Sequence, residues 1–288
     1  MKRVFIVNPN SGSKRGIIVG KLIEEICNEL NYEYEIHYTK GKNDATKIAH
    51  KYKKDECIIY SVGGDGTLNE VVNGIVGSKN YLGIIPIGTG NDFVKCIKKG
   101  VYEVDLGKVN DRYFINIASI GIDAMVGYNV ENIKKLPVSP KLRYDLSILY
   151  TFFTYNYLKV CYKKEIDKTV TLIAVCNGRY YGGKYGIAPN ALIDDGLFDI
   201  YVADYIPKLR IPKILKKLEK QTHGDSPYIS AFTSNKLNIK CKKPTICSVD
   251  GEIIKAKEFD FEIIPKAIKI YNNDIEIQKY IEESIFAR

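Results

Sequence analysis

Three glycine-rich turns, each placed directly after a short apolar run, constrain this chain more than any other feature of its sequence. The runs at 4–8, 57–62 and 82–87 lead into Asn8-Pro9-Asn10-Ser11-Gly12, Gly63-Gly64-Asp65-Gly66-Thr67 and Gly88-Thr89-Gly90-Asn91-Asp92. Behind the first turn, Val19, Leu22, Ile23, Ile26, Cys27 and Leu30 recur at helical spacing; behind the second, Leu68, Val71, Val72 and Ile75 do the same. The third turn predicts a helix through Ile97. Between them, Tyr34, Ile36 and Tyr38 alternate as a strand does, and Asn43-Asp44 offers a cap for a helix through Tyr52. Repeated strand-turn-helix units of this kind predict a parallel sheet with helices on both faces.

The period changes after Gly100. Apolar stretches at 104–109 and 113–118 flank Asn110-Asp111, a hairpin signal. Further short strands are expected at 158–162, 170–176, 197–203, 236–241, 259–264 and 267–271, interrupted by helices at 141–157 and 208–221. This is the pattern of an antiparallel β domain. The tail from 274 to 286 carries Ile275, Ile277, Tyr280, Ile281 and Ile285, which predicts a last helix. The expected division is a first domain over 1–103, a second over 104–271, and a tail at 272–288 that packs back on the first.

Composition narrows the chemistry. The 288 residues are 45% hydrophobic and 27% charged, as folded chains are, and the excess of 43 basic over 34 acidic residues gives a net charge of +9. That charge favours anionic partners without choosing among them. Three histidines leave little for a multi-histidine metal centre, so a general base is expected to be a carboxylate. The seven cysteines form no C-x-x-C pair, and Cys57 and Cys176 sit in apolar strands, which reads as reduced core packing in a cytosolic protein. The start, Met1-Lys2-Arg3 and then four apolar residues, is too short for a secretory signal. The apolar stretch at 146–158 is broken by Ser147, Thr151, Thr154 and Asn156, short of the roughly 20 residues that a membrane span needs.

In open parallel sheets, ligands bind outside the carboxyl ends of the strands. All three turns lie there, so they are expected to converge on one site. Glycine lets the backbone approach a bulky anion, and the amides opening the next helix point at phosphate oxygens. Each turn alone is equally a tight strand-to-helix connection. Three at equivalent positions favour nucleotide binding. Asp65, placed where phosphates would meet, needs a cation such as Mg2+; its bland alternative is to cap the helix that begins at Gly66-Thr67.

The run Gly63-Gly64-Asp65-Gly66-Thr67-Leu68-Asn69-Glu70-Val71-Val72-Asn73-Gly74, followed by Ile85-Pro86-Ile87-Gly88-Thr89-Gly90-Asn91-Asp92-Phe93, resembles the diacylglycerol kinase catalytic family, which includes sphingosine kinases and soluble bacterial lipid kinases. The likeness continues in order through Gly121-Ile122-Asp123-Ala124, Ile187-Ala188-Pro189-Asn190-Ala191, Asp194-Asp195-Gly196 and Val249-Asp250-Gly251-Glu252. Gly-Gly-Asp-Gly-Thr is shared with NAD kinases, whereas the Gly-Thr-Gly-Asn-Asp-Phe loop and the later aspartate pair favour the lipid-kinase branch.

The resemblance implies an N-terminal Rossmann-like, NAD-kinase-like α/β domain and a C-terminal antiparallel β-sandwich. It implies that Asn8, Pro9, Asn10, Ser11, Gly12, Thr39, Gly63, Gly64, Asp65, Gly66, Thr67, Leu68, Asn69 and Thr89 contact ATP. Asp65 and Asp195 would organise catalytic Mg2+ through water, and Glu252 would accept the proton of a lipid hydroxyl. A second, structural cation is implied at Asp195 with the backbone carbonyls of Leu192 and Leu197. Phosphoryl transfer needs positioning, charge neutralisation and a base near the attacking hydroxyl, so these roles have physical sense. Val249-Asp250-Gly251-Glu252 also reads as a plain hairpin turn, which could itself present Glu252. Asp194 shapes its loop; Asp123 either orients substrate or holds a local turn.

The function expected is an ATP- and Mg2+-dependent kinase that makes phosphatidic acid from diacylglycerol, with a sphingoid base or NAD as the alternative acceptor. No helix-turn-helix or zinc-finger signature accompanies the basic charge, so nucleic acid is not expected. Self-association is left open. Two basic stretches would meet an anionic membrane from the cytoplasmic side: Lys134, Lys135, Lys141 and Arg143 ahead of an aromatic helix with Tyr150, Phe152, Phe153, Tyr155 and Tyr157, and Lys208, Arg210, Lys213, Lys216, Lys217 and Lys220 interleaved with Ile211, Ile214, Leu215 and Leu218. The competing reading is that both apolar stripes are core.

Overall fold

A computed structural model of the chain describes residues 1–133, 138 and 140–286. Two compact units divide it, Met1–Leu106 with Ile193–Asp195 and Ile264–Arg288, and Gly107–Leu192 with Gly196–Ile263. Residues 104–106, 193–195 and 264–271, read from the sequence as part of the second domain, therefore belong to the first unit.

The first unit alternates β1 (Arg3–Val7), α1 (Ser11–Glu29), β2 (Tyr34–Tyr38), α2 (Asp44–Lys51), β3 (Ile58–Gly63), α3 (Asp65–Ile75) and β4 (Tyr81–Pro86). Its strands pair in parallel in the order β2-β1-β3-β4, and Lys269 and Ile270, near the end of the chain, add a parallel edge beside β4. Phe5, Val7, Ile58, Tyr60 and Val62 turn one sheet face toward Val19, Leu22, Ile23 and Ile26 of α1 and toward Ile277 and Ile281 of the last helix. On the other face α2 and α3 pack together so closely that a Cβ on Gly74 would lie 2.6 Å from the Ala49 Cβ. One expectation fails here. After Gly90 there is no helix through Ile97 but a single 3-10 turn at Phe93–Cys96, because the loop before it is committed to the Asp65 carboxylate.

The second unit takes up β5 (Gly100–Val109), which begins in the first, and continues with β6 (Arg112–Phe114), β7 (Ile117–Gly121), α4 (Ile122–Asn132), α5 (Pro140–Thr154), β8 (Leu158–Tyr162) and β9 (Glu165–Cys176). After the small hairpin of β10 (Tyr180–Tyr181) and β11 (Tyr185–Gly186) come β12 (Phe198–Asp204), α6 (Ile211–Glu219), β13 (Ile229–Ser234), β14 (Lys236–Val249) and β15 (Glu252–Asn272). Its strands pair antiparallel, β12 with β13 and β9, β7 with β9 and β14, β14 with β15, and β8 with both β9 and β14. Val109, Phe114, Ile120, Val175, Phe198, Ile239, Val249 and Phe259 fill the core of this β-sandwich. The runs expected as strands at 259–264 and 267–271 are one continuous strand, β15, whose last part returns to the first unit and leads to α7 (Ile275–Phe286).

Candidate functional site

In the first unit the three turns converge. The Asn8 amide donates to the Val62 carbonyl at 2.9 Å, the Thr39 amide to Val7 at 2.9 Å and the Ile87 amide to Gly63 at 2.9 Å, so the strand ends are tied side by side. The Asn8 side chain then donates from Nδ2 to Thr67 Oγ1 at 3.2 Å, linking the first turn to the second. Glycine is required where the turns touch. A Cβ on Gly88 would stand 2.6 Å from the Gly64 Cα, and a Cβ on Gly12, whose φ is +57°, would stand 2.2 Å from the Ile87 carbonyl oxygen. Gly12, Ser13 and Lys14 all lie in the left-handed region, so α1 opens with a turn of the opposite hand that periodicity could not disclose.

Asp65 does not cap its helix. Gly64 occupies the cap position of α3, and the Asp65 carboxylate accepts the Asp92 amide at 2.8 Å, with the amides of Asn91 and Phe93 also directed at it. Gly90 leaves room for this contact, since a Cβ there would lie 2.7 Å from Asp65 Oδ2. Burial, and then the neighbouring Asp92 carboxylate, push the Asp65 carboxyl above its ordinary range, against the pull of those amides. A carboxylate this crowded, beside a cradle that a single Cβ would fill, fits a site that receives an anion together with a cation.

Asn8, Asn10, Thr39 and Thr67 line a cleft of about 230 Å³ with Gly41, Lys42, Ala45 and Glu70. Ser11 and Gly64 border the same turns, Pro9 lies between the cleft residues Asn8 and Asn10, and Gly66, in the first turn of α3, and Thr89, in the third glycine turn, are exposed. Gly63, Leu68 and Asn69 are buried, and the Leu68 amide is spent on the Gly64 carbonyl at 3.1 Å, so Leu68 offers a ligand no polar group. Glu70 was missed. Its carboxylate takes the Asn43 amide at 2.8 Å and the Ala45 amide at 3.1 Å, and so caps α2 from another helix. The cap expected from Asn43 itself does not form; Asp44 instead accepts the Lys40 amide at 2.8 Å. Asp195 belongs to this unit, as does Asp194, which faces Lys98 Nζ at 3.6 Å.

The second unit holds the other candidates. Asp250 and Gly251 have φ of 48° and 86° and join β14 to β15 in a two-residue turn, with Val249 opposite Glu252. The Asp250 carboxylate accepts the amides of Ile115, Asn116 and Ile117 at 2.8, 3.1 and 2.9 Å, which fixes the turn to the strand beside it. Glu252 receives a hydrogen bond from the Arg112 guanidinium. The hairpin reading of this motif holds, and Glu252 is the first residue of the strand that follows the turn. Asp123 lies half-buried in the first turn of α4 and takes the Ser119 hydroxyl, and burial pushes its carboxyl above the ordinary range. Leu192 and Leu197 lie in this unit. Among the described residues no three His, Cys, Asp or Glu side chains are grouped so as to hold a metal; one carboxylate with backbone carbonyls is a different donor set. All seven cysteines are free thiols.

Residues 2–112 match the diacylglycerol kinase catalytic domain, and residues 116–272 match the YegS C-terminal NAD kinase beta sandwich-like domain. The chain is 28% identical to a diacylglycerol kinase of Staphylococcus haemolyticus, over 98% of this chain and 93% of that one. It is 30% identical to a Shewanella frigidimarina protein named "Probable lipid kinase YegS-like", over 72% of this chain and 74% of the other. Among solved structures, a diacylglycerol kinase from Bacillus anthracis str. Sterne superposes with a TM-score of 0.70 at 23% identity, covering 95% and 97% of the two chains, a likeness of fold.

Proposed function

Since this chain belongs to the diacylglycerol kinase catalytic family, we propose that it transfers the γ-phosphoryl group of ATP to the free hydroxyl of diacylglycerol, giving phosphatidic acid and ADP. The observation that carries the reading is the contact of the Gly64 and Gly88 turns, with the Asp65 carboxylate gripped by the amides that follow the second of them. Asn8, Asn10, Thr39 and Thr67 would position the nucleotide, and backbone amides opening α3 would face its phosphates. Asp65 and Asp195 would hold Mg2+ through water, which when bound neutralises charge on the phosphates. A structural cation would take Asp195 and the carbonyls of Leu192 and Leu197.

Glu252 would accept the hydroxyl proton as the new O–P bond forms and the bond from the β-γ bridging oxygen to Pγ breaks, that oxygen leaving with ADP. Arg112 holds the carboxylate in one orientation, and Asp250 holds the turn beneath it. No helix among the described residues is long and apolar enough to cross a membrane. The proposed lipid acceptor would be met by peripheral contact, from the cytoplasmic face.

The test is transfer of label from γ-labelled ATP, with Mg2+, to a panel of diacylglycerol, a sphingoid base and NAD in mixed micelles. The proposed reading expects label in phosphatidic acid and none in NADP. NAD belongs in the panel because the second unit matches a domain described as NAD kinase-like. Label in NADP alone would overturn the lipid assignment.

A further inference from the structure

Of the basic stretches, α6 buries Ile211 and Ile214, so its apolar stripe is core, while Lys213, Lys216 and Lys220 are exposed. Lys134 and Lys135 lie outside the described residues. Arg112 is a cation of another kind. It opens β6, and Nη2 of its guanidinium donates to Oε2 of Glu252, which opens β15. In this pair the Glu252 side chain is 14% exposed and that of Arg112 34%. The Arg112 Nε is buried and has no hydrogen-bond partner among the described residues.

The two backbones are tied to each other. The amides of Ile115 and Asn116, shortly after Arg112, donate at 2.8 and 3.1 Å to the carboxylate of Asp250, shortly before Glu252. With the Ile117 amide at 2.9 Å, that carboxylate takes three backbone bonds, so the turn is held without the guanidinium. Arg112 is spent on Glu252 alone and keeps N–H groups over, since a guanidinium carries five in one plane.

Holding a carboxylate still needs no charge; a neutral amide or hydroxyl would do it. A buried donor left unpaired is costly, and the planar fork of a guanidinium matches the oxygens of a phosphoryl group. The proposed transfer supplies the reason for a cation. Its acceptor hydroxyl must lie within about 3.2 Å of Glu252 and about 3.5 Å of Pγ, so base and phosphoryl group come within roughly 7 Å. Both are anionic, and a cation already held by one of them offsets their repulsion.

We infer that Arg112 is a catalytic residue: the N–H groups that Glu252 leaves over contact the phosphoryl group as it passes to the acceptor. The hydroxyl oxygen bonds to Pγ, the bond from Pγ to the β-γ bridging oxygen breaks, that oxygen leaves with ADP, and the proton goes to Glu252. Arg112 keeps all its protons and supplies charge and direction. The inference rests on the proposed function, in which Glu252 is the base.

Double-variant kinetics separate this role from that of a support for Glu252. Arg112→Met keeps the stem and removes the fork. In single turnovers with γ-labelled ATP it is expected to slow transfer by about 10²–10³, with ADP affinity within about threefold of wild type. Added to Glu252→Gln, it is expected to slow the residual transfer by about tenfold or more. A residue that only steadies Glu252 would add nothing once the carboxylate is gone. Guanidinium ion in solution is expected to restore part of the rate to Arg112→Met. Arg112→Lys, which keeps the charge without the fork, is the second variant and is expected to lose about tenfold. A double variant no slower than Glu252→Gln, or Arg112 variants within about threefold of wild type, would overturn the inference and leave the proposed function standing. The same losses with NAD as acceptor would uphold Arg112 and overturn the lipid assignment alone. A wild type that transfers label to no acceptor would overturn both.

Discussion

The Asp65 carboxylate and the Asp92 amide, 27 residues apart, meet at 2.8 Å, and this bond joins the second glycine turn to the third. Each turn ends its own strand, and each by itself would be an ordinary connection. Bound to one another, they place a crowded carboxylate against bare backbone, where a phosphate chain and its cation would rest.

Crowding at Asp65 has a sign that can be measured. Its folded-state pKa lies above the unfolded value, so between the two the native state binds more protons, and stability falls as pH rises through that window. At neutral pH the ionised group is therefore a burden on the fold. Asp65→Asn, which can still accept the Asp92 amide, is expected to match or exceed the wild type in thermal stability without ligand while losing at least about a thousandfold in turnover. Acid inactivation of the wild type should set in above the usual carboxylate range. Calorimetry and a pH-rate profile check both.

Gly88→Ala tests the contact between turns. The new Cβ would meet the Gly64 backbone at 2.6 Å, and backbone cannot swing aside as a side chain can. Overpacking of this kind costs about 1–3 kcal/mol, so nucleotide affinity by titration calorimetry should fall by roughly ten- to a hundredfold.

Glu252→Gln separates chemistry from binding. The variant keeps the size of the side chain that Arg112 holds, so ATP affinity is expected to match the wild type while kcat drops by about 10²–10⁴. Single-turnover kinetics with labelled ATP would show the loss in the transfer step.

Arg3 and Asp274 test the first unit's closure. Nε and one terminal nitrogen of the guanidinium bond the two carboxylate oxygens at 2.7 and 3.0 Å, and Tyr60 adds its hydroxyl. The pair is nearly buried, so Asp274→Ala would strand a cation beneath α7. The expected loss is about 3–5 kcal/mol, read as a fall of roughly 10 °C in Tm.

The parallel unit was legible because its strands carry near-continuous apolar runs and its helices a clear 3.6 period, as Val19 through Cys27 show. The candidate turns were legible for the same reason: they stand where those periods break. What escaped was set by contacts distant in sequence. Nothing local announces that Glu70 caps α2, that Asp92 turns its amide to Asp65, or that Asp250 gathers three successive amides leading into β7. The stripe of α5 was visible as a stripe, but periodicity shows that a helix has two faces without saying which one is buried. Burial of Ser147 and Thr151 decided that, through hydrogen bonds to α4.

The most direct measurement is a crystal structure of the chain with ADP and Mg2+. The account predicts the diphosphate against the Gly64 and Gly88 turns, the sugar and base toward Asn8, Asn10 and Thr39, and Asp65 in the water shell of the ion. Nucleotide bound elsewhere, with the Gly64–Gly88 contact bare and Asp65 remote from the metal, would contradict it.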